Sequence, residues 1–292
     1  MDNEKSGVMR VDFEVLNTPI QQAYAEVLSK VKRLSGHGIP DGLPVVVQLH
    51  LQVTYTAYQA IRYLCVDTPT SKERKAEFLS ACQPIQRSML DAVFDIIYLG
   101  LDLHDRTRAY YKAGWKESFD YYRKHQQKYG ALPEWQGWLE ELRLLTEGLA
   151  KSEHLTEADH DSIDWWPTPL QMIGDSSLPR DVTDFLSHLR DWFYKSYSQA
   201  DHLSWPGLAI RGVVFLREPG SQSDQEYISK QKSDQVYRAL LLLLMILSEI
   251  NARFSLGHDV QLQYIWTILL SYFGETKELY ELRYQRLLQP SR

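Results

Sequence analysis

Residues Ala239 to Leu247 form an uninterrupted apolar run, ALLLLLMIL, extended past Ser248 and Glu249 only by Ile250. Crossing a bilayer takes about 20 apolar residues, and a surface helix needs one polar face. This run satisfies neither requirement. It predicts a helix buried on most sides, and such a helix needs a shell of other elements around it. A chain of 292 residues is long enough to build that shell and a sizeable core.

The rest of the chain supplies helices for the purpose. Thr18 before Pro19 reads as an N-cap with proline at the first helical position. Ile20, Ala23, Tyr24, Val27, Leu28, Val31 and Leu34 then keep the helical period until Gly36. Pro44 opens the next helix, which runs through Tyr63 or Leu64. Val45, Val47, Leu49, Leu51, Val53 and Tyr55 also alternate as a strand would, but Ala57, Tyr58, Ile61 and Leu64 suit only a helix and no turn separates the two parts. From Ser71 the period resumes and crosses Pro84 at a kink or restart. Leu90, Val93, Phe94, Ile97 and Leu101 form its buried face. A Tyr-, Lys- and Arg-rich helix from Arg106 to Tyr129 ends at Gly130. Leu132 and Pro133 start another, with Trp135, Trp138, Leu139, Leu142 and Leu145 inside.

Periodicity fails from Lys151 to Leu178, a stretch carrying Trp165, Trp166, Pro167, Pro169 and Gly174. So long a segment without helix predicts a packed functional loop or a mobile lid, with the two tryptophans anchoring it onto the helices. Helices resume from Pro179 to about His202 and from Pro206 to Leu216. REPGSQSDQ is a turn or surface loop. Further helices run from Gln225 to Leu256, stopped by Gly257, from Val260 to Phe273 and from Thr276 to Leu288. The fold class expected is all-α: one domain over residues 1–292, a multi-helix bundle of about nine or ten helices interrupted by the Trp/Pro-rich loop at 151–178.

A net charge of −6 argues against a surface devoted to nucleic acid, while leaving room for a local basic cleft. Cys65 and Cys82 are too few for a disulfide framework and suit a reducing cytosol. The start, MDNEKSGVMR, has no apolar h-region. The expectation is a cytoplasmic protein that does not enter a membrane. With no Walker loop, no GxGxxG and no Cys-His zinc spacing, neither a cofactor nor a metal is expected.

Two polar patterns interrupt the apolar faces. Arg190, Tyr194, Ser198 and His202 follow one another at intervals of four, which on an α-helix makes a slowly winding polar stripe. Pro206 offers no N–H to the carbonyl of His202, so the helix should end there, where an imidazolium is favoured. Arg87 and Asp91, also four apart, lie within an otherwise apolar helix. As a surface ion pair they would contribute only about 0.3–0.5 kcal/mol, whereas a buried guanidinium at a site rim could hold phosphate.

These residues carry a resemblance. RSMLDAVFDIIYL followed by WFYKSYSQADH resembles the pattern of a widespread all-helical microbial family of unassigned function, with an Arg-x-x-x-acid helix and a Tyr-x-x-x-Ser-x-x-x-His helix. The likeness covers residues 45 to 215. Asp91 stands where that family more often has Glu. The family is in turn distantly similar to the HEPN superfamily, which includes metal-independent endoribonucleases and toxins acting as dimers. The resemblance implies a nucleotide- or RNA-directed protein, in stress or phage defence, acting as a homodimer. In it His202, Ser198 and Tyr194 would be catalytic, and Arg87, Asp91 and Arg190 would bind substrate phosphate. The HEPN spacing of Arg followed by His is matched by Arg253 and His258, with Phe254 where active members usually carry a polar residue.

Two other classes compete. In one, the chain is a non-catalytic helical interaction module whose polar stripe fixes helix register. In the other, His104-Asp105, His160-Asp161 and His258-Asp259 supply ligands as in HD-type metal-dependent phosphohydrolases.

Overall fold

The computed structural model describes residues 13–34, 39–66, 78–194, 222–274 and 276–289, and every regular element among them is helical. The chain divides into two compact units, one of residues 1–34, 44–97 and 176–292, the other of residues 35–43 and 98–175.

The first unit is built on α1 (Phe13–Val31), α2 (Leu43–Cys65) and α3 (Leu79–Leu99). The second contains α4 (Leu103–Tyr129), α5 (Gln136–Glu153) and the short α6 (Pro169–Ile173). The chain then returns to the first unit with α7 (Arg180–Leu189), α8 (Gln222–Phe254), α9 (Asp259–Tyr272), α10 (Thr276–Leu279) and α11 (Gln285–Leu287). The helix expected from Pro206 to Leu216 lies outside the described residues.

The apolar run behaves as its composition requires. Every residue from Ala239 to Leu247 is fully buried in α8, and α1 and α9 pack against that helix. Leu16, Ile20, Ala23, Val27 and Val31 give α1 its buried stripe. Each of the larger ones, Leu16, Ile20, Val27 and Val31, contributes about 1.5–3 kcal/mol relative to an exposed one. Among the described residues, α8 is the one helix long and apolar enough to cross a membrane, and it is buried inside its own unit.

Two sequence expectations need correction. The first helix begins at Phe13, so Pro19 lies inside α1 and Thr18 is not its N-cap. Pro84 sits inside α3, which crosses it as expected, without a restart. Beyond Leu189 and beyond Leu279 the backbone does not continue as α-helix but widens into single π turns, Arg190–Tyr194 and Tyr280–Tyr284.

In the second unit α4 and α5 form an antiparallel hairpin. Asp102 caps α4 by accepting from the Asp105 N–H at 3.0 Å, and Gly130 ends it as its sequence suggests. Tyr129 stacks on Trp135 at 4.3 Å to close the tip. Gly42 takes φ +84°, and an added Cβ there would meet the Tyr111 hydroxyl at 2.5 Å, so the turn before α2 demands glycine.

The loop expected from Lys151 starts later, because α5 continues to Glu153. Residues Glu157–Ser162 form a 3₁₀ turn capped by Thr156 and Asp159. Lys116 Nζ donates to the Ile163 carbonyl at 2.6 Å, and Thr168 caps α6. The two tryptophans differ. Trp166 packs edge-on against Tyr98 and Tyr110 at 5.5 and 4.8 Å, whereas Trp165 is 57% exposed and faces the Lys116 cation at 5.3 Å. Trp166 is the anchor of the pair, and Trp165 is not.

Candidate functional site in the first unit

The helical period of α3 turns Leu90, Val93, Phe94 and Ile97 into the core and leaves Arg87 and Asp91 together at its edge. Arg87 Nε donates to both carboxylate oxygens of Asp91, at 3.1 and 3.0 Å. The guanidinium is mostly buried and the carboxylate more exposed, with side-chain exposures of 15% and 42%. Gln86, one residue earlier, is fully buried and donates its amide to the Gln235 carbonyl of α8 at 2.8 Å.

The segment that opens the second motif touches the same turn of α8. Phe193, in the π turn that follows α7, is fully buried, and the Arg238 guanidinium lies 5.9 Å from its ring centre. Gln235 and Arg238 are three residues apart, neighbours on one face of α8. Both motif-bearing segments therefore meet α8 at a single turn.

Arg190 donates from Nε and Nη2 to Asp191 Oδ1, at 3.1 and 3.0 Å. Tyr194 closes the π turn. Ser198 and His202 lie outside the described residues. Of the expected set, then, the structure joins Arg87 to Asp91 and gives Arg190 a different carboxylate partner. The stripe also starts differently from an α-helical one. A π turn takes more residues per turn, so a four-residue spacing across it winds the other way.

Beside this π turn an open groove of about 440 Å³ is lined by His188, Asp191, Trp192, Lys277, Glu278 and Glu281. His188 Nδ1 lies 3.5 Å from Glu278, and Lys277 Nζ lies 3.7 Å from Glu281. Its three carboxylates disfavour a phosphate group there; an uncharged ring or a cation suits it better.

Arg253 and His258 do not share an electrostatic environment. Burial lowers the pKa of Arg253, and its neighbouring charges are Glu249 and Arg283. His258 Nδ1 pairs with Glu26 at 3.1 Å, and burial followed by the Lys30 charge lowers its pKa. The His-Asp dipeptides also diverge in use. His104 and Asp105 are both exposed on the first turn of α4. His160 is held between Asp161 at 3.0 Å and Asp120 at 2.8 Å, and its hydrogen bond to Asp161 lowers the pKa of that carboxylate. Asp259 accepts from Asn251 Nδ2 at 2.8 Å, while its charge acts on the neighbouring His258. Among the described residues no three His, Cys, Asp or Glu side chains form a group that could hold a metal ion.

Sequence reasoning missed a buried polar pair, Glu249 with Arg283, and a part-buried one, His50 with Asp95. The partners are separated by 34 and 45 residues, and no local pattern links them. Only the glutamate at the end of the apolar run hinted that a cation must reach it.

The described residues define an all-helical protein in which the segments carrying the two polar patterns each touch one turn of a central apolar helix, through Gln86 and Phe193. Compared with known protein families, curated proteins and solved structures, the chain matches none.

Proposed function

We propose that the protein is a HEPN-like, RNA- or nucleotide-directed protein that acts in the cytoplasm without a metal ion, as a homodimer. The supporting observation is that Gln86, beside Arg87, and Phe193, in the Arg190–Tyr194 turn, touch one turn of α8 at the Gln235 carbonyl and the Arg238 guanidinium. Such a site would use Arg87 to offset phosphate charge, Asp91 to orient that guanidinium, and His202 as acid or base, with Tyr194 and Ser198 beside it. Arg190, bonded to Asp191, would bind substrate phosphate outside the acidic groove.

The second reading, a non-catalytic interaction module, is favoured by one feature: both oxygens of Asp91 already accept from Arg87, as in a pair that only fixes helix register. Incubation of the purified protein with RNA, with and without EDTA, separates the two. Cleavage that survives EDTA and is lost in His202→Ala supports the nuclease reading. Absence of cleavage in the wild type, with His202→Ala merely less stable, supports the module. Cleavage lost on chelation but kept in His202→Ala defeats both and returns the His-Asp metal alternative.

A further inference from the structure

The two cysteines lie outside both polar motifs but close to each other. Cys65 is the last residue of α2, and Cys82 lies in the first turn of α3. Their sulfurs are 3.6 Å apart, and neither belongs to a disulfide. Cys82 has no exposed surface, Cys65 is 4% exposed, and the Cys82 thiol also points at the Phe78 carbonyl at 3.7 Å.

We propose that Cys65 and Cys82 are an oxidative modification site, at which a peroxide converts the pair into an intramolecular disulfide joining the end of α2 to the start of α3. A disulfide sulfur–sulfur bond is about 2.05 Å long, so the sulfurs need approach by only about 1.5 Å, within reach of rotation about the side-chain bonds. Helix ends open at low cost, which admits an oxidant as small as hydrogen peroxide. The slight exposure of Cys65 makes it the thiol attacked first. Its sulfur takes one peroxide oxygen, the O–O bond breaks, and the products are a sulfenic acid and one water. The Cys82 sulfur then displaces the hydroxyl, the S–S bond forms, and the Cys82 proton leaves with that hydroxyl as a second water. In total two thiols are oxidised and one peroxide is reduced to two waters. A cellular thiol pool would reverse the reaction by exchange, which is compatible with a reducing compartment.

The test is intact-mass analysis of the full chain after exposure to hydrogen peroxide, with N-ethylmaleimide added in denaturant and no reductant. The expected wild-type product carries no maleimide and has lost two hydrogens at a peptide link between Cys65 and Cys82. Dithiothreitol restores two maleimide adducts. In Cys82→Ser the reaction should stop at a sulfenic acid on Cys65 that dimedone traps, and in Cys65→Ser the Cys82 thiol should remain alkylatable. A wild-type protein that keeps two reactive thiols, gains oxygen at either cysteine, or links into dimers overturns the proposal. The wild-type measurement decides by itself, so the proposal stays open to refutation even when a variant fails to fold.

Discussion

Arg283 and Glu249 grip one another inside the first unit, with Nη2 donating to one carboxylate oxygen at 2.7 Å and Nε to the other, and with side-chain exposures of only 8% and 4%. Burial works against the guanidinium charge, but the adjacent carboxylate outweighs it and raises the Arg283 pKa. The guanidinium lies 5.5 Å from the centre of the Phe185 ring, and Tyr284, the residue after Arg283, stacks on Trp266. Removing one member of such a pair strands a buried charge, whereas replacing both with apolar groups of similar volume is often neutral or stabilising. Arg283→Met should therefore cost about 3–5 kcal/mol, and the double variant Glu249→Leu with Arg283→Met should regain most of it. Urea unfolding of the three proteins at neutral pH checks this; a double variant as weak as the single one contradicts it.

The His50–Asp95 contact predicts a pH dependence of definite sign. Burial lowers the His50 pKa, but the hydrogen bond and charge of Asp95 and the Val46 carbonyl more than offset it, leaving the pKa raised in the folded state. A base with a raised folded pKa binds its proton more tightly when folded. The stabilisation is fully present below the unfolded value of about 6.5 and is lost as pH rises through the folded value. Wild type should thus exceed His50→Gln in stability by more at pH 5.5 than at pH 8. Equal differences at the two pH values would contradict the pairing.

His258 carries the opposite sign. Burial first, then the Lys30 charge, lowers its pKa despite Glu26, Gln261 and Asp259 nearby. Its neutral form is the one the fold favours, so its contribution is present above the unfolded value and is lost as pH falls through the folded value. His258→Asn should flatten the acid side of the stability curve. Thermal midpoints between pH 4.5 and 7.5, compared with wild type, measure it.

The helices were legible where one local rule decided them. Gly130 after Tyr129 ends α4, and the apolar run Ala239–Leu247 lies buried in α8. Local rules misled at Thr18–Pro19, because a proline within α1 mimics the start signal. The strand-like alternation of Val45, Leu49 and Val53 arises because α2 exposes these apolar residues on one face while burying Val46, Val47 and Leu51 on the other. The π turns at Arg190 and Tyr280 carry no composition signal that sets them apart from α-helix. Of the site, the Arg87–Asp91 pair was legible because its spacing is local. The meeting of Gln86 with Gln235 spans 149 residues and depends on tertiary packing alone.

The loop tryptophans should separate cleanly by mutation. Trp166 packs against Tyr98 and Tyr110, and edge-to-face aromatic pairs add about 0.5–1.5 kcal/mol beyond their burial. Trp166→Ala should destabilise the second unit by about 2–3 kcal/mol and speed protease cleavage in residues 157–168. Trp165, largely exposed, should change stability by no more than about 0.5 kcal/mol on the same substitution. Limited proteolysis followed by mass analysis distinguishes the two, and equal sensitivity in both variants would refute the assignment.

The Arg87–Asp91 pair gives the sharpest test of the proposed RNA chemistry. Asp91 accepts from Arg87 Nε with both oxygens, at 3.0 and 3.1 Å, which orients the planar end of the guanidinium. If that end stabilises phosphate charge in the transition state, Arg87→Ala should lower kcat by about 10²–10³. Arg87→Lys should recover little, because an ammonium keeps the charge but not the fork. Asp91→Asn, which leaves Arg87 in place but weakens its orientation, should fall between wild type and Arg87→Ala, with kcat reduced more than KM is raised. A pair that serves only helix register behaves differently. All three variants would then lose stability without a graded change in kcat, and Arg87→Lys, which restores an ion pair with Asp91, would be the least affected.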